Sequence, residues 1–377
     1  MKKLVIVTTV PLSFSTLTKG QPKYLKEFFN VSLVTSKGEA NKEISTYEGV
    51  DVIEINMTRQ ITPLQDIKSL LKLYYYFRQN RVEIVYSFTP KAGLLSMIAS
   101  FLARVPKRVH NIVGMPLMEA TGNKKRLLKF IERTTYFFST NLFCNSYGLK
   151  EYIEKNLTKK KIRVIANGSI NGVDINYFKD TFSNEEKMKQ REELEIKEDD
   201  FVLLFVGRVV KDKGVNELIE AFTVLNEKFN NLKLLIVGDF EKELSPISTQ
   251  SMENMKSDNN IISVGFQKDI RSYLAISSLF ILPSYREGLP NSLIEAGSFG
   301  IPLLATDING CNEVIISNKT GILVEKKSVS SLVEGVSLLL ENKELYLDIK
   351  TNVRDLTIAR YSQKIFFNEL KNELENL

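Results

Sequence analysis

Histidine and cysteine are nearly missing from this chain of 377 residues, which has one histidine, His110, and two cysteines, Cys144 and Cys311. So few ligands assemble neither a Cys/His metal cluster nor a disulfide framework, and the two thiols read as reduced and structural. No apolar run approaches the roughly 18 residues that cross a bilayer. The apolar part of residues 1–7 is too short for a secretory signal and reads as a first buried strand. A Gly-x-Gly-x-x-Gly fingerprint is absent, which sets aside a dinucleotide dehydrogenase. No Asp-x-Asp pair offers itself to a metal–nucleotide complex.

What is present is ordinary for a globular chain, with 43% hydrophobic and 25% charged residues. The length allows two or three domains. Charge is uneven along it. Residues 1–174 hold 27 Lys and Arg against 13 Asp and Glu, a balance of +14, and the remainder holds 24 against 32, a balance of −8. Such asymmetry suggests that the first half meets an anionic surface. Without a nucleic-acid-binding motif, anionic lipid fits better than nucleic acid.

Short apolar runs at 4–7, 31–34, 52–55, 84–86, 108–110 and 142–144 alternate with helical patterns such as 64–78 and 92–103. A second series of strands, at 201–206, 232–237, 261–264, 279–282 and 302–305, alternates with helices at about 216–228, 268–276, 290–299 and 329–341. Strands alternating with helices predict parallel, doubly wound sheets. Between the two series lie two Asn-Gly turns, at 167–168 and 171–172, which read as a hinge. The charged stretch 181–200 reads as an exposed helix.

Two stretches carry the chemistry. In 279–295, a buried strand ends at Pro283-Ser284, a polar turn holds Arg286, Glu287 and Gly288, and Pro290 suits the start of a helix that continues through Asn291, Ser292 and Glu295. A helix start with free backbone N–H groups suits phosphate. Alone, this is also the pattern of a capped helix with a surface glutamate. In 201–214, an apolar strand runs into Gly207-Arg208 and Lys213-Gly214. Arginine grips a diphosphate bidentately and lysine adds a point charge. Ligands of open α/β sheets bind at the carboxyl ends of the strands, where both loops would lie.

Gly207-Arg208 with Lys213-Gly214, followed by Glu287-Gly288-Leu289-Pro290 with Glu295-Ala296, closely resembles the signatures of glycosyltransferase family 4. The resemblance covers the second half strongly and the first half loosely. It implies the GT-B fold: two Rossmann-like domains facing a central cleft, with residues 1–174 binding acceptor, 175–356 binding nucleotide-sugar, and 357–377 returning to the first domain. It implies a retaining transferase that takes a UDP-sugar and needs no cofactor or metal. Arg208 and Lys213 would hold the diphosphate, and Glu287 would orient the sugar. Glu295 would take the ribose hydroxyls. Gly207, Gly288, Leu289, Asn291 and Ser292 would line the donor site, and Phe266 would lie in the loop that receives the base. His110, read as following a strand end, would reach toward the donor sugar; as an isolated residue it reads rather as a hydrogen-bonded core histidine.

The chain departs from the family after its first strand. Residues 8–19 lack the usual Gly-Gly pair, and the apolar tip there is a candidate contact for acceptor or lipid. Asn309 stands where glycine is common. The basic segment 121–133, with Lys124, Lys125, Arg126, Lys129 and Arg133 beside Leu127, Leu128 and Phe130, reads either as a domain helix or as a face for anionic membrane. The pattern most resembles N-acetylhexosamine transferases, N-acetylgalactosamine included, that act on polyprenyl-diphosphate-linked acceptors in capsule or O-antigen assembly at the inner face of the cytoplasmic membrane. A nucleotide-sugar epimerase or hydrolase on the same fold, a transferase with a soluble acceptor, and a non-enzymatic scaffold are the alternatives.

Overall fold

A computed structural model describes every residue except 59, 61, 119 and 242–244. The chain forms two compact units, Met1–Gly172 with Gln363–Leu377, and Val173–Ser362.

The first unit holds β1 (Lys3–Val7), β2 (Asn30–Thr35), β3 (Asp51–Glu54), β4 (Ile84–Phe88), β5 (Lys107–Ile112), β6 (Asn141–Cys144) and β7 (Ile162–Val164). They make one parallel sheet in the order β3-β2-β1-β4-β5-β6-β7. Its helices are α1 (Leu12–Thr16), α2 (Gln21–Leu25), α3 (Ala40–Glu48), α4 (Pro63–Gln79), α5 (Pro90–Leu102), α6 (Gly122–Phe138) and α7 (Tyr147–Asn156). The second unit holds α8 (Asn184–Glu193), β8 (Phe201–Val206), α9 (Val215–Lys228), β9 (Leu232–Val237), α10 (Thr249–Ser257), β10 (Ile261–Ser263), α11 (Arg271–Ala275), β11 (Leu279–Leu282), α12 (Asn291–Phe299), β12 (Leu303–Thr306), α13 (Cys311–Val314), β13 (Gly321–Val324), α14 (Val329–Glu341) and α15 (Lys343–Tyr361). Its parallel sheet runs β10-β9-β8-β11-β12-β13. The last helix, α16 (Gln363–Glu375), belongs to the first unit.

The central strands are largely apolar and buried because helices cover both faces of a parallel sheet. All four residues of β11, Leu-Phe-Ile-Leu, are buried, as are all five of β4. Local signals set several helix starts. Ser183 and Glu186 form a reciprocal capping box that starts α8, a helix burying no residue at all. Ser146, Ser248, Ser328 and Asn342 cap α7, α10, α14 and α15 from one side only, each side chain accepting from a backbone N–H.

The strand order reverses once in each unit, between β1 and β4 and between β8 and β11. Strands departing in opposite directions leave a crevice at their carboxyl ends, the usual ligand position in open α/β sheets. Several expectations change here. The stretch after β1 is not a free tip, since it folds into α1, and Phe14 is buried in the core with Leu4 and Ile6. β13 and the 19-residue α15 were not read from the sequence. The expected helix at 268–276 is only Arg271–Ala275. The units divide at Gly172/Val173 and Ser362/Gln363, so that α15 stays with the second.

Candidate functional site

Both sequence stretches sit at the reversal point of the second sheet. The loop after β8 carries Gly207, Arg208 and a 3₁₀ turn at Lys211–Lys213, and the loop after β11 runs from Pro283 to Pro290 at the start of α12. They are neighbours because β8 and β11 pair.

Glycine lets the loops touch. A Cβ on Gly214, whose φ is +69°, would lie 2.0 Å from the carbonyl oxygen of Pro283. A Cβ on Gly310, in the loop after β12, would lie 2.1 Å from that of Gly288. Only glycine permits such approaches. Polar bonds then lock the same loops. Tyr285 N–H donates to Asp212 O at 2.9 Å, and the Tyr285 hydroxyl donates to Glu217 Oε1 at 2.5 Å. Arg286 Nη2 pairs with Asp212 Oδ2 at 3.2 Å. Asn309 Nδ2 donates to Glu287 O at 3.3 Å. Asn309 thus does with its amide what a glycine cannot.

Within this frame Lys213 Nζ meets Glu287 Oε1 at 2.5 Å, with both side chains largely covered. Buried Cys311 lies beside them, its thiol raised well above the usual value by burial and then by the Glu287 charge. Arg208 extends from the same loop and pairs with Glu241, across a cavity of about 410 Å³ that also bears Asp239, Phe266, Gln267 and Ile270. Phe266 is exposed on its wall, and its N–H donates to Asp239 Oδ1 at 3.2 Å.

Glu295 lies in α12, inside the helix. It is half-buried with no cation beside it, and burial pushes its carboxyl up to about 7. Asn291 and Ser292 open α12, where free backbone N–H groups gather. Four atoms here are buried without a partner: Ser284 Oγ, Arg286 Nε, Asn291 Oδ1 and Glu217 Oε2. Unpaired buried polar groups cost stability unless a polar group completes them.

His110 belongs to the first unit. It is not at a strand end, because β5 continues to Ile112. Its ring is buried, with Nδ1 2.9 Å from Ser87 Oγ, and lies against α5, where a Cβ on Gly93 would come within 2.4 Å of Cε1. Burial lowers its pKa to about 4, so the ring is neutral at physiological pH. At the reversal point of that sheet two hydroxyls meet: Thr9 Oγ1 and Thr89 Oγ1 are 2.7 Å apart. Thr89 has φ +67°, a costly value for a β-branched residue, and strain of this kind collects at functional positions.

The structure therefore brings together Arg208, Lys213, Glu287, Glu295, Gly207, Gly288, Leu289, Asn291, Ser292 and Phe266 in one unit. Reading the sequence missed Asp239, Glu241, Glu217 and Cys311. Gly238-Asp239-Phe240-Glu241 directly after β9 carried the signal, a glycine-ended strand followed by carboxylates.

Comparison with known proteins agrees on both units. The family described as "Glycosyl transferases group 1" matches residues 186–356, and "Glycosyl transferase 4-like" matches residues 7–146. The capsular polysaccharide biosynthesis glycosyltransferase CapM of Staphylococcus aureus is 33% identical over 98% of this chain and 96% of its own. An Escherichia coli UDP-Gal:alpha-D-GlcNAc-diphosphoundecaprenol alpha-1,3-galactosyltransferase is 30% identical over 77% and 74%. A Campylobacter jejuni N,N'-diacetylbacillosaminyl-diphospho-undecaprenol alpha-1,3-N-acetylgalactosaminyltransferase is 28% identical over 86% and 87%. Among solved structures, Anabaena HepE in complex with UDP and glucose superposes with a TM-score of 0.81 over all of both chains at 19% identity, which fixes the fold as GT-B. With a relative a third identical along nearly the whole of both chains, and with each unit matched by its own description, the chain belongs to the group 1, family 4-like glycosyltransferases.

Proposed function

We propose that the chain is a retaining transferase that moves a sugar from a UDP-sugar to a polyprenyl-diphosphate-linked acceptor in capsule or O-antigen assembly. The observation that carries this is the placement of Arg208 and Lys213 on one loop of the reversal point, beside Glu287 and α12. Two cations and a helix start at one crevice suit a diphosphate leaving group.

In this reading Arg208 and Lys213 take up the negative charge that grows on the diphosphate as the glycosidic bond breaks. The N–H groups from Gly288 to Ser292 add to that field. Glu287 is held by Lys213 and orients sugar hydroxyls, and Glu295 accepts from the ribose. No carboxylate is assigned as a covalent nucleophile. The acceptor oxygen bonds to the anomeric carbon on the face the phosphate leaves, and the acceptor proton passes to a leaving phosphate oxygen, which retains configuration. Charge stabilisation by the two cations makes a metal unnecessary.

The relatives' names favour galactose-configured or N-acetylated hexoses, and N-acetylgalactosamine is our first choice. No helix among the described residues is long and apolar enough to cross a membrane, so a lipid-linked acceptor would be met peripherally. The basic start of α6 supports this, with Lys124, Lys125, Arg126 and Phe130 exposed. Leu128, grouped with them from the sequence, instead packs partly against the core.

The test is to incubate purified protein with a panel of UDP-sugars and a polyprenyl-diphosphate-linked acceptor, measuring UDP release and the anomeric configuration of the product. An α-linked product from an α-linked donor is expected. An isomerised donor, an inverted product, or UDP binding without turnover over a broad acceptor panel would each replace this reading.

A further inference from the structure

α4 is apolar on two opposite sides. Ser69, Leu73 and Phe77 face inward and are buried. On the other side Leu64, Ile67, Leu71 and Tyr75 are 80%, 58%, 47% and 57% exposed. Their spacing of three, four and four residues puts them on one stripe of about 16 Å, at 1.5 Å rise per residue. A solvated helix would carry polar residues along this line.

We infer that this outward stripe of α4 is a lipid-docking surface, lying in the plane of an anionic bilayer with its four apolar side chains in the headgroup boundary. The inference rests on the lipid-linked acceptor of the preceding reading and adds the surface by which the enzyme reaches it. Charge complementarity favours lipid as the occupant. Lys68 and Lys72 flank the stripe and Arg78 continues it, all exposed. Asp66, the helix's own acid, is tied to Lys91 at 2.5 Å. Such a combination of apolar centre and basic margin is that of an interfacial helix.

The exposure does not stop at α4. α5 packs against both α4 and α6, which places the three helices in one layer. α5 exposes Phe101 and Leu102 at its end, and α6 exposes Leu127, Phe130 and Phe137. Apolar groups spread over three neighbouring helices suit a broad surface better than the single narrow cleft that receives one peptide helix.

Apolar insertion and charge attraction respond differently to salt, which makes the inference testable. The full chain is sedimented with phosphatidylcholine vesicles with and without phosphatidylglycerol, at low salt and at about 0.5 M salt, where the screening length falls to a few ångströms. Wild type is expected to bind anionic vesicles and to keep a measurable part of that binding at high salt. Ile67→Asp with Leu71→Asp should lower the vesicle partition coefficient at least tenfold at both salts. Charge reversal at Lys124, Lys125 and Lys129 should weaken binding at low salt only. Calorimetric UDP binding by each variant reports that the donor unit is folded, and failure of wild type to bind UDP would overturn the transferase reading instead of the docking surface. Vesicle binding by the α4 variant equal to wild type overturns the inference. So does conversion of a wild-type dimer to monomer by that variant with vesicle binding retained, since the stripe would then be a contact between copies.

Discussion

The two units repeat one strand arrangement, and their reversal points carry opposite chemistry. Between β8 and β11 the loops present Arg208, Lys213 and Glu287, fastened by Asp212, Glu217 and Tyr285. Between β1 and β4 the loops present Thr8, Thr9 and Thr89, with neutral His110 on the next strand. A charged crevice is expensive to maintain without a charged ligand, because each ion gives up hydration. A hydroxyl-lined crevice recognises groups that both donate and accept. The same scaffold thus sets ion pairs at one reversal point and hydroxyls at the other, and the strained Thr89 stands at the second.

The sharpest way to break this contrast is to discharge the second reversal point. Arg208→Ala and Lys213→Ala should each lower kcat/KM about a hundredfold or more, near 3 kcal/mol of transition-state stabilisation, with the melting temperature little changed. Near-normal kinetics in both would remove the diphosphate assignment.

Loop contact comes next. Gly214→Ala puts a methyl group into the Pro283 carbonyl at a left-handed backbone position. We expect stability to fall by roughly 1–3 kcal/mol and UDP affinity to fall about tenfold, read by thermal melting and calorimetry. A folded variant with unaltered UDP affinity would mean that the loops need not touch.

Glu295 gives a pH signature. Its carboxyl titrates near 7 in the free protein, and hydrogen bonds donated by ribose favour the ionised form. UDP affinity should therefore rise several-fold as pH climbs through 7, with a proton released on binding. The sign for folding is opposite: the raised pKa favours the native state below the ordinary carboxylate range, and that advantage is lost as pH passes 7. Glu295→Gln should bind UDP more weakly at pH 8 and lose the pH slope. An unchanged slope would assign the proton elsewhere. The smallest expected effect is that of EDTA, since Arg208 and Lys213 supply the positive charge; activity abolished by chelator and restored by magnesium or manganese would show that they do not suffice.

The sequence was most legible where one residue type answers to one physical demand. Continuous apolar runs marked strands, and Arg208, Lys213, Glu287 and Glu295 stood out because cations and carboxylates gather at two strand-to-helix turns in a family-like pattern. What escaped depends on three dimensions. Gly310 looks like any loop glycine until Gly288 is seen against it. Phe14 reads as an exposed tip until α1 turns it inward. In α4 the residues Leu64, Ile67, Leu70, Leu71, Leu73, Tyr75 and Phe77 make a helix greasy all round, and only packing decides which side remains outside. Glu241 was invisible because its partner is 33 residues away, in the loop after a different strand.

The position of α16 has a consequence for how the protein is made. Phe366, Phe367, Leu370 and Leu374 are buried in the same cluster as Leu4, Ile6 and Leu33 of the first unit. Burying four such side chains contributes about 6–12 kcal/mol as an upper estimate, comparable with the whole stability of a domain. The first unit therefore cannot close its interior until α16, which follows the whole second unit in the chain, has been made. A stop codon after Ser362 would spare every strand of both sheets and still leave an open apolar seam for chaperones and proteases to find.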